Sequence, residues 1–268
     1  MAEHATMRDG ARIEYSLRPG DPGKRIALVH SLALDRSVWE GVAGHLTAAG
    51  AEVLTYDARG HGGSDRPAGP YSVELFANDL ADLLDALGWQ SARVAGASMG
   101  GSVALAFALA HPAKLAGLGL IDTTAWYGPL APAQWEERAQ KAATEGFGSM
   151  VEFQATRWFS DGFRAQHADV AKRYADLFLQ NDAAAYVATC RMLGTFDVRA
   201  RLSEIKAPTA IVVGEEDYAT PVAMSEALHA AIGGSTLTVI KGARHLTPIE
   251  VPERIAPELE HLLAAAAV

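Results

Sequence analysis

Residues 94–102 read Val94-Ala95-Gly96-Ala97-Ser98-Met99-Gly100-Gly101-Ser102. Three glycines crowd one serine between an apolar run and an alanine-rich stretch. Glycine weakens helix and strand alike relative to alanine, so the backbone here must bend sharply or pass close to a neighbour. The preceding ARVAGA (92–97) reads as a buried strand and the following SVALAFALA (102–110) as a helix. Gly96-x-Ser98-x-Gly100 is then the turn that joins them. Such a turn lifts the serine hydroxyl above a sheet, provided that neighbouring side chains are absent. The helix start adds unpaired backbone N–H groups and the positive end of the helix dipole, both suited to an oxyanion. A bare G-x-S-x-G arises by chance in roughly one chain in ten of this length; the strand before it and the helix after it give it meaning.

The same alternation continues on both sides. Residues 25–30 (RIALVH), 52–56 (EVLTY), 117–122 (GLGLID), 209–214 (TAIVVG) and 235–240 (STLTVI) read as buried strands, and 73–87, 222–232 and 252–264 carry helical spacing. Strands that are apolar throughout and alternate with helices predict an α/β fold, a mostly parallel central sheet with helices on both faces. Residues 123–202 interrupt it. No run there resembles a strand, while Trp126, Trp135, Phe153, Trp158, Phe159 and Phe163 are concentrated in it and 133–144 and 165–180 have helical spacing. This predicts a helical cap over 123–202 inserted into a core made of 1–122 and 203–268.

Bulk properties narrow the function. The chain has 268 residues, 49% hydrophobic and 21% charged, enough to bury a large core. A formal net charge of -9 without a basic block argues against nucleic acid as a partner. The single cysteine, Cys190, excludes an internal disulfide framework and suits a reducing cytoplasm; it reads as a buried residue of the cap. The first sixteen residues hold no long apolar run, and the final HLLAAAAV (261–268) is too short to span a bilayer and reads as the tail of a surface helix. A cytoplasmic protein with no membrane partner is expected. The nine histidines are scattered without a metal-ligand pattern, and His4, His111 and His261 read as surface or capping residues. The glycine clusters at 60–63 and 96–101 lack a phosphate-loop spacing. Neither a metal nor a cofactor is expected.

A serine hydroxyl needs a base, and the base an acid to orient it. Glu215-Glu216-Asp217 directly follows one strand and Lys241-Gly242-Ala243-Arg244-His245 the last one, both at strand C-terminal ends where open α/β sheets collect their sites. Asp217, furthest beyond its strand and just before a turn and Pro221, is the expected acid. Ser98 is the expected nucleophile and His245 the base, in the order Ser, Asp, His. The backbone N–H groups of Met99 and of Leu32, in His30-Ser31-Leu32-Ala33, are the expected oxyanion donors, each worth about 3 kcal/mol of barrier.

These residues resemble the α/β-hydrolase family, as does Asp57-Ala58-Arg59-Gly60-His61-Gly62-Gly63-Ser64-Asp65, similar to its D-x-R-G-H-G-x-S loop. That loop is structural, and His61 is assigned no chemistry. Within the family the chain looks most like the 3-oxoadipate enol-lactonases of aromatic-acid degradation. The similar stretches are 56–71, Trp135-Glu136-Glu137-Arg138, Thr144-Glu145-Gly146, Arg157-Trp158-Phe159, and Tyr186 with Cys190. The resemblance implies that Trp135 and Arg138 hold a substrate carboxylate. They are three apart, hence on one helix face, and a guanidinium grips a carboxylate bidentately. The chain departs from the subfamily at His30 and Ala33 of the oxyanion loop and at Leu246-Thr247-Pro248 after the histidine.

The function expected is a cofactor-independent serine hydrolase that opens an anionic, carboxylate-bearing lactone as its small-molecule partner. The alternatives are a general carboxylesterase or perhydrolase, a carbon–carbon bond hydrolase of the same fold, or a non-catalytic binding protein on this scaffold.

Overall fold

The apolar runs of the sequence lie side by side in one sheet of eight strands. The computed structural model describes residues 3–264. The strands are β1 (Glu3–Thr6), β2 (Arg12–Arg18), β3 (Asp21–Val29), β4 (Ala51–Tyr56), β5 (Ala92–Ala97), β6 (Leu115–Ile121), β7 (Thr209–Gly214) and β8 (Thr236–Ile240), in the spatial order β1-β2-β4-β3-β5-β6-β7-β8. From β4 to β8 every pairing is parallel, whereas β1–β2 and β2–β4 are antiparallel. β5, β7 and nearly all of β6 are buried on both faces, which is why they carry no polar alternation.

The helices are α1 (Glu40–Ala48), α2 (Val73–Ala86), α3 (Met99–Ala110), α4 (Ala131–Glu145), α5 (Val151–Trp158), α6 (Asp161–Gln166), α7 (Ala168–Leu179), α8 (Ala183–Gly194), α9 (Val222–Ala231), α10 (Thr247–Glu250) and α11 (Pro252–Ala264). α1 and α11 pack on one another and on the sheet; α2 and α3 do the same, and α9 covers β7 and β8. α4 to α8 fall between β6 and β7 in sequence and pack largely on one another, with α4 against α8 and α7 against α5 and α6. Trp126 and Asp197 pair as an isolated bridge near the two ends of that segment.

The sequence reading passes over β1 and β2 because it looks for apolar runs. β1 (EHAT) is a polar edge and β2 (RIEYSLR) buries only Ile13 and Tyr15. The helix expected over 165–180 is two helices, parted at His167, where the backbone leaves the helical region (φ -129, ψ 50). α1, with two glycines, and the short α5 and α10 have too little periodicity to stand out. The last helix reaches Ala264; residues 265–268 of the expected helical tail lie outside the described residues.

The turn between β5 and α3 answers why glycine is needed. A Cβ on Gly96 would lie 2.0 Å from the Gly100 carbonyl oxygen, and one on Gly100 would lie 2.1 Å from that of Val29. Strand, turn and helix therefore approach to backbone contact. Ser98 itself sits at φ 54, ψ -116, a region that non-glycine residues enter only under strain of about 1–3 kcal/mol. Its amide donates to Ile121 O at 2.9 Å, and its carbonyl accepts from Gly101 N at 2.9 Å and Thr123 Oγ1 at 2.7 Å, so the surroundings hold it there.

The 57–65 loop is held by its own side chains. The Asp57 carboxylate accepts from the amides of Gly63 and Arg36, both at 2.8 Å, and pairs with the Arg36 guanidinium. Buried Arg59 bridges Asp79 at 2.6 Å and Asp9 at 2.8 Å.

Gly100→Ala is expected to cost at least about 2 kcal/mol, because backbone cannot yield as a flexible side chain can. A lower urea midpoint with an unchanged denaturant slope is the readout.

Candidate active site

Ser98 caps α3 at the C-terminal end of β5, Asp217 follows β7, and His245 follows β8. Three loops at one rim of the sheet thus deliver three side chains to one point. Ser98 Oγ lies 2.9 Å from His245 Nε2, and His245 Nδ1 lies 2.8 Å from Asp217 Oδ2. An ionised carboxylate only accepts, so Nδ1 carries the proton and Nε2 accepts from the serine hydroxyl. All three are buried, Asp217 at 3% and His245 at 5% exposure. Asp217 Oδ1 also accepts from the amides of Ala219 (2.7 Å) and Thr220 (2.9 Å), and Oδ2 from Thr220 Oγ1 (2.8 Å). Burial opposes ionisation of Asp217, but His245 and the Thr220 bonds outweigh it and hold the carboxyl below its usual range. Glu215 and Glu216 point elsewhere: one accepts from Gly242 N and the other pairs with Arg244.

A second carboxylate, Asp122, underlies this arrangement. It follows β6 at φ 48 and is fully buried. It accepts from Gly214 N at 3.0 Å, ahead of the Asp217 loop, and from Thr247 N (3.0 Å) and Oγ1 (2.7 Å), just beyond His245. Burial, and then the nearby Asp217 charge, push its carboxyl well above the usual range. Asp122 therefore ties together the two loops that carry Asp217 and His245. Sequence reading missed it, since its partners are remote in the chain.

The amides of Leu32 and Met99 have no acceptor among the described residues. Met99 opens α3, whose first N–H groups are left free by helix geometry. Leu32 lines the same cavity as Ser98 and His245. The loop that carries it is pinned by His30, whose Nδ1–H donates to Ser31 O at 2.7 Å while Nε2 accepts from Ala58 N at 2.9 Å. Only neutral imidazole can do both. His61 stacks edge-on against it at 5.1 Å, and its Nδ1 meets Arg59 O at 3.0 Å. Burial lowers both histidines, His61 down to about 3.

The cavity beside Ser98 is lined by Ser31, Leu32, Tyr127, Trp135, Arg138, Gln154, Arg157, Trp158, Ala219, Thr220 and His245. Its free volume is only about 20 Å³, room for about one water. A larger ligand must displace side chains, and the two arginines are the long, rotatable ones. Arg138 lies over Trp135 (5.2 Å to the ring centre) and donates from Nε to Tyr186 OH at 2.6 Å. Glu136 pairs with Arg191 on α8 instead of Arg138. The Arg157 guanidinium makes no hydrogen bond or ion pair among the described residues. Burial, with the Arg138 charge beside it, brings Arg157 down to about 10, still cationic at neutral pH. Cys190 is buried under α4 and its thiol is pushed up to about 11, which keeps it unreactive. Trp135, Arg138 and Leu32 thus meet Ser98 and His245 at one cavity; Gln154, Arg157, Tyr127 and Thr220 were not singled out for it from the sequence. The first two lie on α5, whose helical character is hard to read.

α5 is also tied to His245. Trp158 O accepts from the amides of His245 (3.1 Å) and Leu246 (3.0 Å). Glu250 closes the junction, accepting from Ser160 N at 3.2 Å and Arg244 N at 2.9 Å and bonding the Ser160 hydroxyl.

Residues 20–252 match the family model described as "Serine aminopeptidase, S33". Among curated relatives, 3-oxoadipate enol-lactonase 1 of Acinetobacter baylyi is 30% identical over 93% of this chain and 92% of its own length. A second lactonase from that organism, 3-oxoadipate enol-lactonase 2, is 32% identical over 79% of this chain and 78% of its own. Among solved structures, the enol-lactonase from Burkholderia xenovorans LB400 superposes with a TM-score of 0.92 at 30% identity, covering 98% of this chain and all of that one (100%). Among the described residues no helix is long and apolar enough to cross a membrane, and no group of three or more His, Cys, Asp and Glu side chains could hold a metal ion.

Stability is expected to fall as pH drops from about 6.5 toward 4. Unfolded His30 and His61 take up protons near 6.5, whereas buried His61 resists until about 3 and His30 is likewise lowered. The unfolded state then binds more protons, so each histidine costs up to about 1.4 kcal/mol per pH unit. Urea midpoints at pH 7, 6 and 5 give the measurement.

Proposed function

Because the chain belongs to the α/β-hydrolase family and is a hydrolase acting on esters or lactones, we propose that it opens a carboxylate-bearing lactone through an acyl-enzyme on Ser98, as the enol-lactonase relatives' names imply. The observation that carries this reading is the hydrogen-bonded line Ser98–His245–Asp217 facing a cavity lined by two half-buried arginines and by no carboxylate.

Ser98 Oγ attacks the lactone carbonyl while His245 Nε2 takes its proton, and Asp217 stabilises the imidazolium. The oxyanion is received by the Leu32 and Met99 amides. Collapse breaks the acyl–oxygen bond, and His245 returns the proton to the departing enol oxygen. The enol remains joined to the acyl group and ketonises, so the ring does not reclose. Water, deprotonated by His245, then attacks the ester carbon and releases the acid with Ser98 reprotonated. Residues 123–202 act in this reading as a cap that brings Trp135 and Arg138 over the reacting centre. A guanidinium there offsets the local repulsion of an anion by a chain of charge -9, because beyond a Debye length of about 8 Å the other charges are screened.

Ser98→Ala is expected to leave no measurable turnover on any ester or lactone, and an organophosphate should label the wild type at Ser98 only. Turnover retained by the variant would remove the nucleophile. Arg138→Ala is expected to lose about 2 kcal/mol of transition-state binding, roughly 30-fold in kcat/KM, for an anionic lactone relative to a neutral aryl ester. Equal losses on both would point to a general carboxylesterase.

A further inference from the structure

Gln154 and Arg157 stand three apart on α5, so both meet the Ser98 cavity from one helix face. Neither has a part in the reaction as written above. Gln154 is 1% exposed, yet its Oε1 has no hydrogen-bond partner. A buried amide oxygen left in that state forfeits the bond it had to water. Arg157 beside it is a half-buried cation whose guanidinium has no ion-pair partner among the described residues, although the Arg138 and then the Asp217 charge act on it through space. Two adjacent unfulfilled polar groups facing one cavity mark a place built for a ligand group.

The charge of that group follows from what the cavity already contains. No carboxylate lines it, and Asp217, the carboxylate whose charge reaches Arg157, is committed to His245 and Thr220. Arg138 is already oriented by the Trp135 face and the Tyr186 hydroxyl, and the proposed function gives it one anion. Arg157 lies within electrostatic reach of Arg138 and is unoriented by any bond. The missing element is therefore a second negative charge. A carboxylate supplies it and offers lone pairs to both residues: the guanidinium binds it as a fork, and a half turn of the Gln154 amide presents Nε2–H.

We propose that Gln154 and Arg157 form a second anion subsite on α5, so that the site takes a lactone or ester bearing two carboxylates, one at Arg138 and one at Arg157. This rests on the hydrolase reading of Ser98 and narrows its substrate class.

Three p-nitrophenyl esters test it: the acetate, with no carboxylate; the succinate, with one; and the tricarballylate, with two. The monomethyl derivative of the last has nearly the same bulk and one charge fewer. In the wild type kcat/KM is expected to be at least tenfold higher for the tricarballylate ester than for its monomethyl derivative. Arg157→Gln should shrink that ratio to within twofold, Arg157→Lys should restore part of it, and Gln154→Leu should reduce it. Thermal shifts of Ser98→Ala with the monoamide of tricarballylate, which keeps two carboxylates, and with the monomethyl ester of that monoamide, which keeps one, read the same preference without turnover. A wild-type ratio near one, or an Arg157→Gln variant that weakens one-carboxylate and two-carboxylate compounds alike, overturns the second subsite; the latter result describes a single carboxylate shared by both arginines. If the acetate ester is hydrolysed and Ser98 is labelled, either result leaves the hydrolase reading standing. If no ester turns over, that reading fails, and the thermal shifts still decide the subsite.

Discussion

The structure depends on how closely β5, the Ser98 turn and α3 are allowed to approach. Main-chain atoms at Gly96 and Gly100 lie where any side chain would collide with carbonyl oxygens. This contact brings the helix start against the strand ends, leaves the Met99 amide unpaired, and drives Ser98 to a positive φ. The strain is offset by ordinary bonds on either side, from Ser98 N to Ile121 and from Thr123 to the Ser98 carbonyl. Everything at the rim is arranged around a hydroxyl whose position is set by backbone, not by a rotatable stem.

Charge is arranged in layers about that point. Asp122 lies underneath as a buried carboxyl shifted upward, with Asp217 as its ionised neighbour shifted downward, and the pair divides the roles because two adjacent dry carboxylates resist bearing charge together. Arg138 and Arg157 line the cavity that the imidazole also lines, in a protein of net negative charge. The cavity is thus a small positive region whose two cations lack carboxylate partners.

How legible this was depended on the range over which each feature is encoded. The Ser98 turn is written in nine adjacent residues, and the strands β5 and β7 end where the apolar runs end. Asp217 and His245 could be located because parallel sheets gather their loops at one rim. Trp135 and Arg138 came from resemblance, with spacing as support. β1 and β2 escaped notice because an edge pair needs no continuous apolar run. α5 escaped because eight residues give barely two turns of pattern, and with it went Gln154 and Arg157 as cavity residues. Asp122 was read only as the end of a strand, since its partners Gly214 and Thr247 lie 92 and 125 positions away.

The bonds from Trp158 O to the His245 and Leu246 amides make α5 and the His245 loop one mechanical piece. Recognition and chemistry in this molecule are therefore not interchangeable parts. A graft that replaced α4 to α8 with the helices of a relative would also shift the loop that holds the imidazole. Divergence toward new compounds is easier by exchanging single side chains along α5 than by trading the whole segment.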